Sequence, residues 1–392
     1  MSQKSSFGIL ALATTSLMAA ASAPSPIYPL YRERWHFSVT VLTVIFAVYV
    51  VGLLGALLTV GSLSDHIGRR PVLVAGFVLA GVSTAVFWAA TGPISLLVAR
   101  LIQGVASGTA MSVLAAALLD NAPRSRPHLA TTVTAVGTSV GMAGGGAFVG
   151  LLMQWTTRPD LIVFPLLTTI FVGLAIASWA LPETRSVRTG RRPSFRPRVR
   201  LSAEARSEFW AAAPTTIAGW AATGLFLALM PSLVRDEFQL RFEAAGGLTV
   251  AVLYVAVTVG GLWSVRLRAR TATVYGAASM AVGAVALAVA LAGTSSVEFG
   301  AGSVVMGLGV GLTFNGNLRS VGAVTSPESR SETFAAVYVL SYASLSVPTL
   351  VAGLAAPAIG LGATSYAFIA FLALLSGAAV IHGASRRMQV PA

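Results

Sequence analysis

Cysteine is absent from all 392 residues. That one absence excludes disulfides, thiolate metal sites and cysteine nucleophiles. Charge is scarce too: Asp, Glu, Lys and Arg make up 10% of the chain, against about 25% in a soluble domain. So few charges cannot cover a water-facing surface, and the bilayer must act as solvent. Lysine is nearly missing, since Lys4 is the one basic residue of 26 that is not arginine. The 13 acidic residues all fall in or beside loops, so no carboxylate stands at mid-membrane depth to carry a proton or sodium. The four histidines, His36, His66, His128 and His382, also lie at the ends of apolar runs or in loops. An intramembrane protease would need a Ser/His pair, paired Asp or metal ligands at depth, and these are lacking. No two methionines stand at helical spacing and no ring of matched ligands is visible, so copper transport and a channel filter are unsupported. We therefore expect no metal, no cofactor and no enzymatic role.

What the chain has is apolar length. Hydrophobic residues make up 55% of it, and the mean hydropathy is +0.80. The apolar runs are about 20 residues or longer, which suits spanning helices and not barrel strands. Twelve spans are predicted, at 7–28, 39–60, 71–91, 93–119, 129–153, 160–181, 209–232, 244–264, 271–292, 297–318, 332–356 and 363–383. Ala21-Ser22-Ala23 after the first run resembles a signal cleavage site, but Pro24, Pro26 and Pro29 read equally well as the broken end of a retained helix. With both termini cytoplasmic, 20 basic residues face inward, five face outward and Arg100 lies within a span. The positive-inside rule favours that orientation. The net charge of +13 therefore reflects topology and not nucleic-acid binding. An Arg- and Pro-rich stretch at 183–208 divides the spans six and six. The domains expected are a six-helix bundle at 1–182, a basic cytoplasmic linker at 183–208 and a second six-helix bundle at 209–392.

The halves repeat. GSLSDHIGRRPVLVAG at 61–76 and GLWSVRLRARTATVYG at 261–276 share Gly61/Gly261, Ser64/Ser264, Arg70/Arg270 and Gly76/Gly276 at an offset of 200. Six-span repeats in the same orientation are the parallel kind, related by an axis along the membrane normal. The segment GSLSDHIGRR resembles the loop between helices two and three of the major facilitator superfamily, through Gly61, Leu63, Asp65, Gly68 and the pair Arg69-Arg70. His66 stands where that family usually has Arg or Lys. The resemblance implies the all-α, twelve-helix facilitator fold. It also implies a gating role, with Asp65 set against the start of helix eleven in the outward-open state.

Two further resemblances follow. LLVARLIQGVASG at 96–108 resembles the family's helix-four motif, with Arg100, Gln103 and Gly104 in register. In proton-coupled relatives the matching Arg is implicated in proton transfer. Here Arg100 could reach Glu33, meet an anionic substrate or be satisfied by hydrogen bonds alone. GTSVGMAGGGAFVG at 137–150 resembles the glycine-rich helix five of antiporters, with Gly137, Gly141, Gly145 and Gly150 fitting; Gly146 replaces the usual proline, which weakens the antiporter implication and leaves a packing role. The resemblance places helices one, four, seven and ten around the cavity. Polar and aromatic residues near span centres are its candidate lining: Tyr49, Trp220, Tyr254, Asn315, Tyr338 and Tyr342, with Thr14, Thr15 and Thr223 beside them. Arg100 without acids favours an anionic or neutral small-molecule substrate. The expectation is a monomeric secondary transporter of the bacterial cytoplasmic (inner) membrane working by alternating access. Its first reading is proton-linked efflux, with protons a candidate co-substrate. The alternatives are import or facilitated passage of a small organic anion, and a non-transporting receptor or scaffold.

Overall fold

The computed structural model describes residues 3–60, 64–123, 125, 129–183, 199–237, 242–326 and 329–388. Among them there is no strand, and twelve helices are long and apolar enough to cross a membrane. The first six are α1 (Gln3–Ser22), α2 (Val39–Val60), α3 (Arg69–Trp88), α4 (Pro93–Asp120), α5 (Leu129–Leu152) and α6 (Asp160–Trp179). The second six are α7 (Ala203–Ala228), α8 (Ala245–Ser264), α9 (Ala269–Gly293), α10 (Ser296–Val324), α11 (Arg330–Ile359) and α12 (Leu361–Met388).

Several boundaries differ from the sequence reading by a few residues, and two of the differences have a local reason. The first span does not stop at residue 28. α1 ends at Ser22, a 3₁₀ turn covers Ser25–Ile27, and a short helix continues over Tyr28–Trp35. Prolines lack the N–H that an α-helix needs at each step, so Pro24 and Pro26 force the break, while Pro29 sits at the start of the new helix, where no N–H is required. α7 begins at Ala203, inside the stretch read as linker, because the Ser202 hydroxyl accepts from the Ala205 N–H and caps it. The remaining linker residues 184–198 lie outside the described residues.

The chain divides into two compact units. One contains Met1–Phe37 and Val44–Arg198; the other contains Ser38–Thr43 and Val199–Ala392. Inside the first unit α3 packs on α4 and α6, and α1 packs on α5. Inside the second α9 packs on α10 and α12, and α7 packs on α11. Each of these three pairings in one unit recurs six helices later in the other, as a parallel repeat requires.

Small residues set the tightest approaches. In the first unit a Cβ on Gly104 would strike the Tyr49 carbonyl, and one on Gly108 the Leu53 carbonyl, so α2 and α4 touch through their backbones. In the second unit Gly307 and Gly311 of α10 meet the Leu253 and Val257 carbonyls of α8 in the same way. In lipid, helices gain little from burying apolar surface, so close van der Waals contact at such positions holds them together.

Candidate substrate and gating sites

Arg100 is 1% exposed, on α4. Its Nε donates to the Tyr28 hydroxyl at 2.5 Å, and its Nη1 donates to the Ala21 carbonyl at 3.1 Å and to Gln103 Oε1 at 2.7 Å. Gln103 Nε2 donates to the Ala20 carbonyl at 2.8 Å. The break in α1 explains why those carbonyls are free. In a continuing helix Ala20 would accept from residue 24, which is Pro24 and has no N–H. Gln103 supplies the missing donor, and Arg100 does the same for Ala21, one residue before the end of α1. The guanidinium also lies over the rings of Tyr28, Tyr49 and Phe87 at 5.4, 5.5 and 5.8 Å. Such contacts reach about 2 kcal/mol or more when desolvated, against the roughly 2.5–3.5 kcal/mol cost of an arginine at membrane depth. All these hydrogen-bond partners are uncharged. The exposed Glu33 is not among its hydrogen-bond partners. Nη2 is buried without a partner among the described residues.

α5 closes on the same stretch of α1. A Cβ on Gly141 would strike the Thr15 carbonyl, and one on Gly145 the Ala19 carbonyl and the Ser22 hydroxyl. Gly137 faces the Thr14 and Thr15 side chains at ordinary to close range, and Gly150 is buried. Beyond the break, Asp160 at the first turn of α6 accepts from Arg34 at 3.2 Å and from Arg158 at 3.3 and 3.2 Å. This ties the short helix to α6 and holds the Arg158 guanidinium above its usual range, chiefly through the hydrogen bond.

At the other end of the unit lies the gating loop. Gly61 lies outside the described residues, and so does the Asp65 side chain. His66 is half-buried in the short helix Ser64–Ile67. Gly68 has φ +94°, a conformation that L side chains rarely adopt, and it turns the chain into α3. Glu183, just past α6, caps α3: its two carboxylate oxygens accept from the Arg69 and Arg70 N–H groups at 3.0 and 3.1 Å. A carboxylate there also meets the positive end of the helix dipole. Arg69 forms an ion pair with Asp120 at the end of α4, and Arg70 lies over the Trp179 ring at 4.8 Å.

In the second unit Trp220 of α7 sits edge-on to Phe314 of α10 at 5.7 Å and to Tyr342 of α11 at 4.9 Å. Tyr254 is buried on α8, and Tyr338 is half-buried one turn before Tyr342. Asn315 is half-buried, beside Gly261.

These features can be set against known proteins. The profile described as Major Facilitator Superfamily matches residues 10–349. The chain belongs to that superfamily. Uncharacterized MFS-type transporter EfpA of Mycobacterium tuberculosis is 29% identical over 152 residues, covering 37% of this chain and 27% of the relative. The gallate transporter of Pseudomonas putida is 29% identical over 161 residues, covering 40% of this chain and 35% of the relative. The matches thus span well under half the length of these relatives. A bacterial homolog to the human lysosomal transporter Spinster, solved in an inward-facing and unoccupied conformation, shares the fold, with a TM-score of 0.79 and 13% identity over 100% of this chain and 99% of that one.

In this superfamily member the sequence reading missed three groups. Asn317, and not Asn315, is the buried amide with a full set of partners. Its Nδ2 donates to the Thr215 and Thr216 hydroxyls, each at 2.9 Å, and to the Ala212 carbonyl at 3.3 Å, while its Oδ1 accepts from the Thr273 hydroxyl at 3.0 Å. It binds α7, α9 and α10 together. Arg319 donates to the Ser264 and Leu267 carbonyls and caps the end of α8. Phe314 completes the aromatic group. One turn-register argument could have found Asn317: it stands four residues after Thr313, which faces Gly276 of α9.

Proposed function

We propose that this superfamily member is a secondary transporter. It moves a small anionic or neutral organic solute by alternating access, exporting it in exchange for protons. The observation that carries the substrate charge is Arg100, a buried guanidinium whose hydrogen bonds all go to uncharged groups. A positive charge left uncompensated in this way repels a cationic solute and attracts an anionic one. The exchange reading is supported by the helix-four motif that carries Arg100, Gln103 and Gly104, and in part by the glycine face that α5 presents to α1. The helix-two to helix-three loop would serve as the gate, with Glu183, Asp120 and Trp179 holding Gly68, Arg69 and Arg70 in place.

A second reading is uptake of a small organic anion without proton exchange; the same Arg100, and similarity to a relative named gallate transporter, support the anionic substrate. Proteoliposomes decide between them. Solute flux that follows an imposed pH gradient, with measurable proton counterflow, is expected for the exchanger. Flux indifferent to the gradient selects the second reading. Absence of flux for every anionic and neutral solute in a panel overturns both.

A further inference from the structure

We propose that the aromatic group of the second unit is a subsite for a flat aromatic ring bearing a hydrogen-bond acceptor. This rests on the transporter reading and narrows its substrate class. Three helices bring the rings together: Trp220 from α7, Phe314 from α10 and Tyr342 from α11, at 5.7 and 4.9 Å with interplanar angles of 68° and 61°. Both contacts are edge-to-face, a favoured geometry for aromatic pairs. α7 is the most buried of the twelve spans, yet Trp220 on it stays half-exposed. Phe314 and Tyr338 are half-exposed as well.

The polar atoms point to a ligand. The Trp220 indole N–H and the Tyr338 phenol make no hydrogen bond among the described residues. An indole N–H and a phenol normally find partners when they leave water, which is why such side chains gather where one end must stay apolar and the other polar. Tyr338 precedes Tyr342 by one helical turn, so both rings share a face of α11. The group therefore combines an aromatic cluster with two donors, on Trp220 and on Tyr338 one turn from Tyr342, that are unused among the described residues. A saturated ring of the same volume would lack the ring–ring electrostatics. A carboxylate or carbonyl on the ring would accept from the two donors.

The test uses purified full-length protein in detergent and two matched pairs of probes. Benzoate is compared with cyclohexanecarboxylate, and benzamide with cyclohexanecarboxamide, by equilibrium dialysis. The unsubstituted protein is expected to prefer the aromatic member of each pair by roughly three- to tenfold, the yield of one aromatic contact. Trp220→Leu should abolish the preference, and Trp220→Phe should keep part of it. Tyr338→Phe should weaken both aromatic probes several-fold while leaving their ratio to the saturated probes near its original value. Because each ratio is taken within one variant, a partly misfolded fraction cancels. No aromatic preference in the unsubstituted protein, or no binding of either aromatic probe, overturns the subsite. Flux of saturated solutes alone would overturn the subsite and leave the transporter reading standing. Aromatic binding with no flux of any solute would do the reverse.

Discussion

Arg100 makes its three hydrogen bonds through two nitrogens in a fixed planar fork while its face lies against three rings. A lysine keeps the charge but offers a single ammonium, which cannot serve all three acceptors and stack as well. Arg100→Lys is therefore expected to lose flux nearly as fully as Arg100→Ala, since one lost charged hydrogen bond of about 1.5–3 kcal/mol corresponds to roughly ten- to hundredfold. Initial-rate measurements in proteoliposomes check this; near-normal flux in the lysine variant would refute the fork argument. Gln103 acts on a different quantity. Gln103→Leu strands the Ala20 carbonyl and one donor of Arg100, and should lower the unfolding free energy by about 1–3 kcal/mol. Gln103→Glu, which keeps an acceptor for Arg100, should cost less in the same thermal-unfolding assay. Both residues were legible in the sequence as a polar pair within an apolar run. Their partners were not: Ala20, Ala21 and Tyr28 lie 72–83 positions away, and only the fold brings a proline-freed carbonyl to a glutamine.

At the level of elements, backbone contact and helix ends decide the energetics. Gly145 and Gly144 are neighbours on α5 with opposite surroundings. A Cβ on Gly145 meets the Ala19 carbonyl and the Ser22 hydroxyl, whereas one on Gly144 meets nothing within 4 Å. Gly145→Ala should cost about 1–3 kcal/mol through overpacking. Gly144→Ala should be neutral or stabilising by up to about 1 kcal/mol, as alanine is the better helix former. Parallel unfolding curves in detergent compare the two; equal losses would show that α5 does not approach α1 this closely. The end of α3 gives a second comparison. Glu183→Ala removes both caps and the favourable dipole contact, and should cost about 0.5–2 kcal/mol. Twelve apolar runs made the helices readable in advance. The caps were less readable, because Glu183 lies 113 and 114 positions from the N–H groups it serves and no local pattern joins them. The same holds for α7, whose first turn looked like linker because its residues are polar until the Ser202 cap is seen.

For the whole molecule, the two units use one packing frame with different polar fastenings. On the tenth helix the residues at an offset of 203 from Arg100 and Gln103 are Ser303 and Met306, so the second unit has no counterpart of that pair. Its polar hub is Asn317, seven residues from the end of α10, while Arg100 lies seven residues from the start of α4. The first unit is thus fastened near the α3–α4 end of its frame, and the second near the equivalent of the gating-loop end. Each fastening joins helices that must move as one body if a unit is to rotate as a whole, which is the requirement alternating access places on a repeat of this kind. The fastenings share no partner among the described residues. Gln103→Leu and Asn317→Leu should therefore each destabilise by about 1–3 kcal/mol, and the double variant should equal their sum to within about 0.5 kcal/mol. Reversible unfolding in mixed micelles gives the three values. A coupling energy well above that limit would mean that the two hubs sense each other, and the picture of separately fastened units would have to be given up.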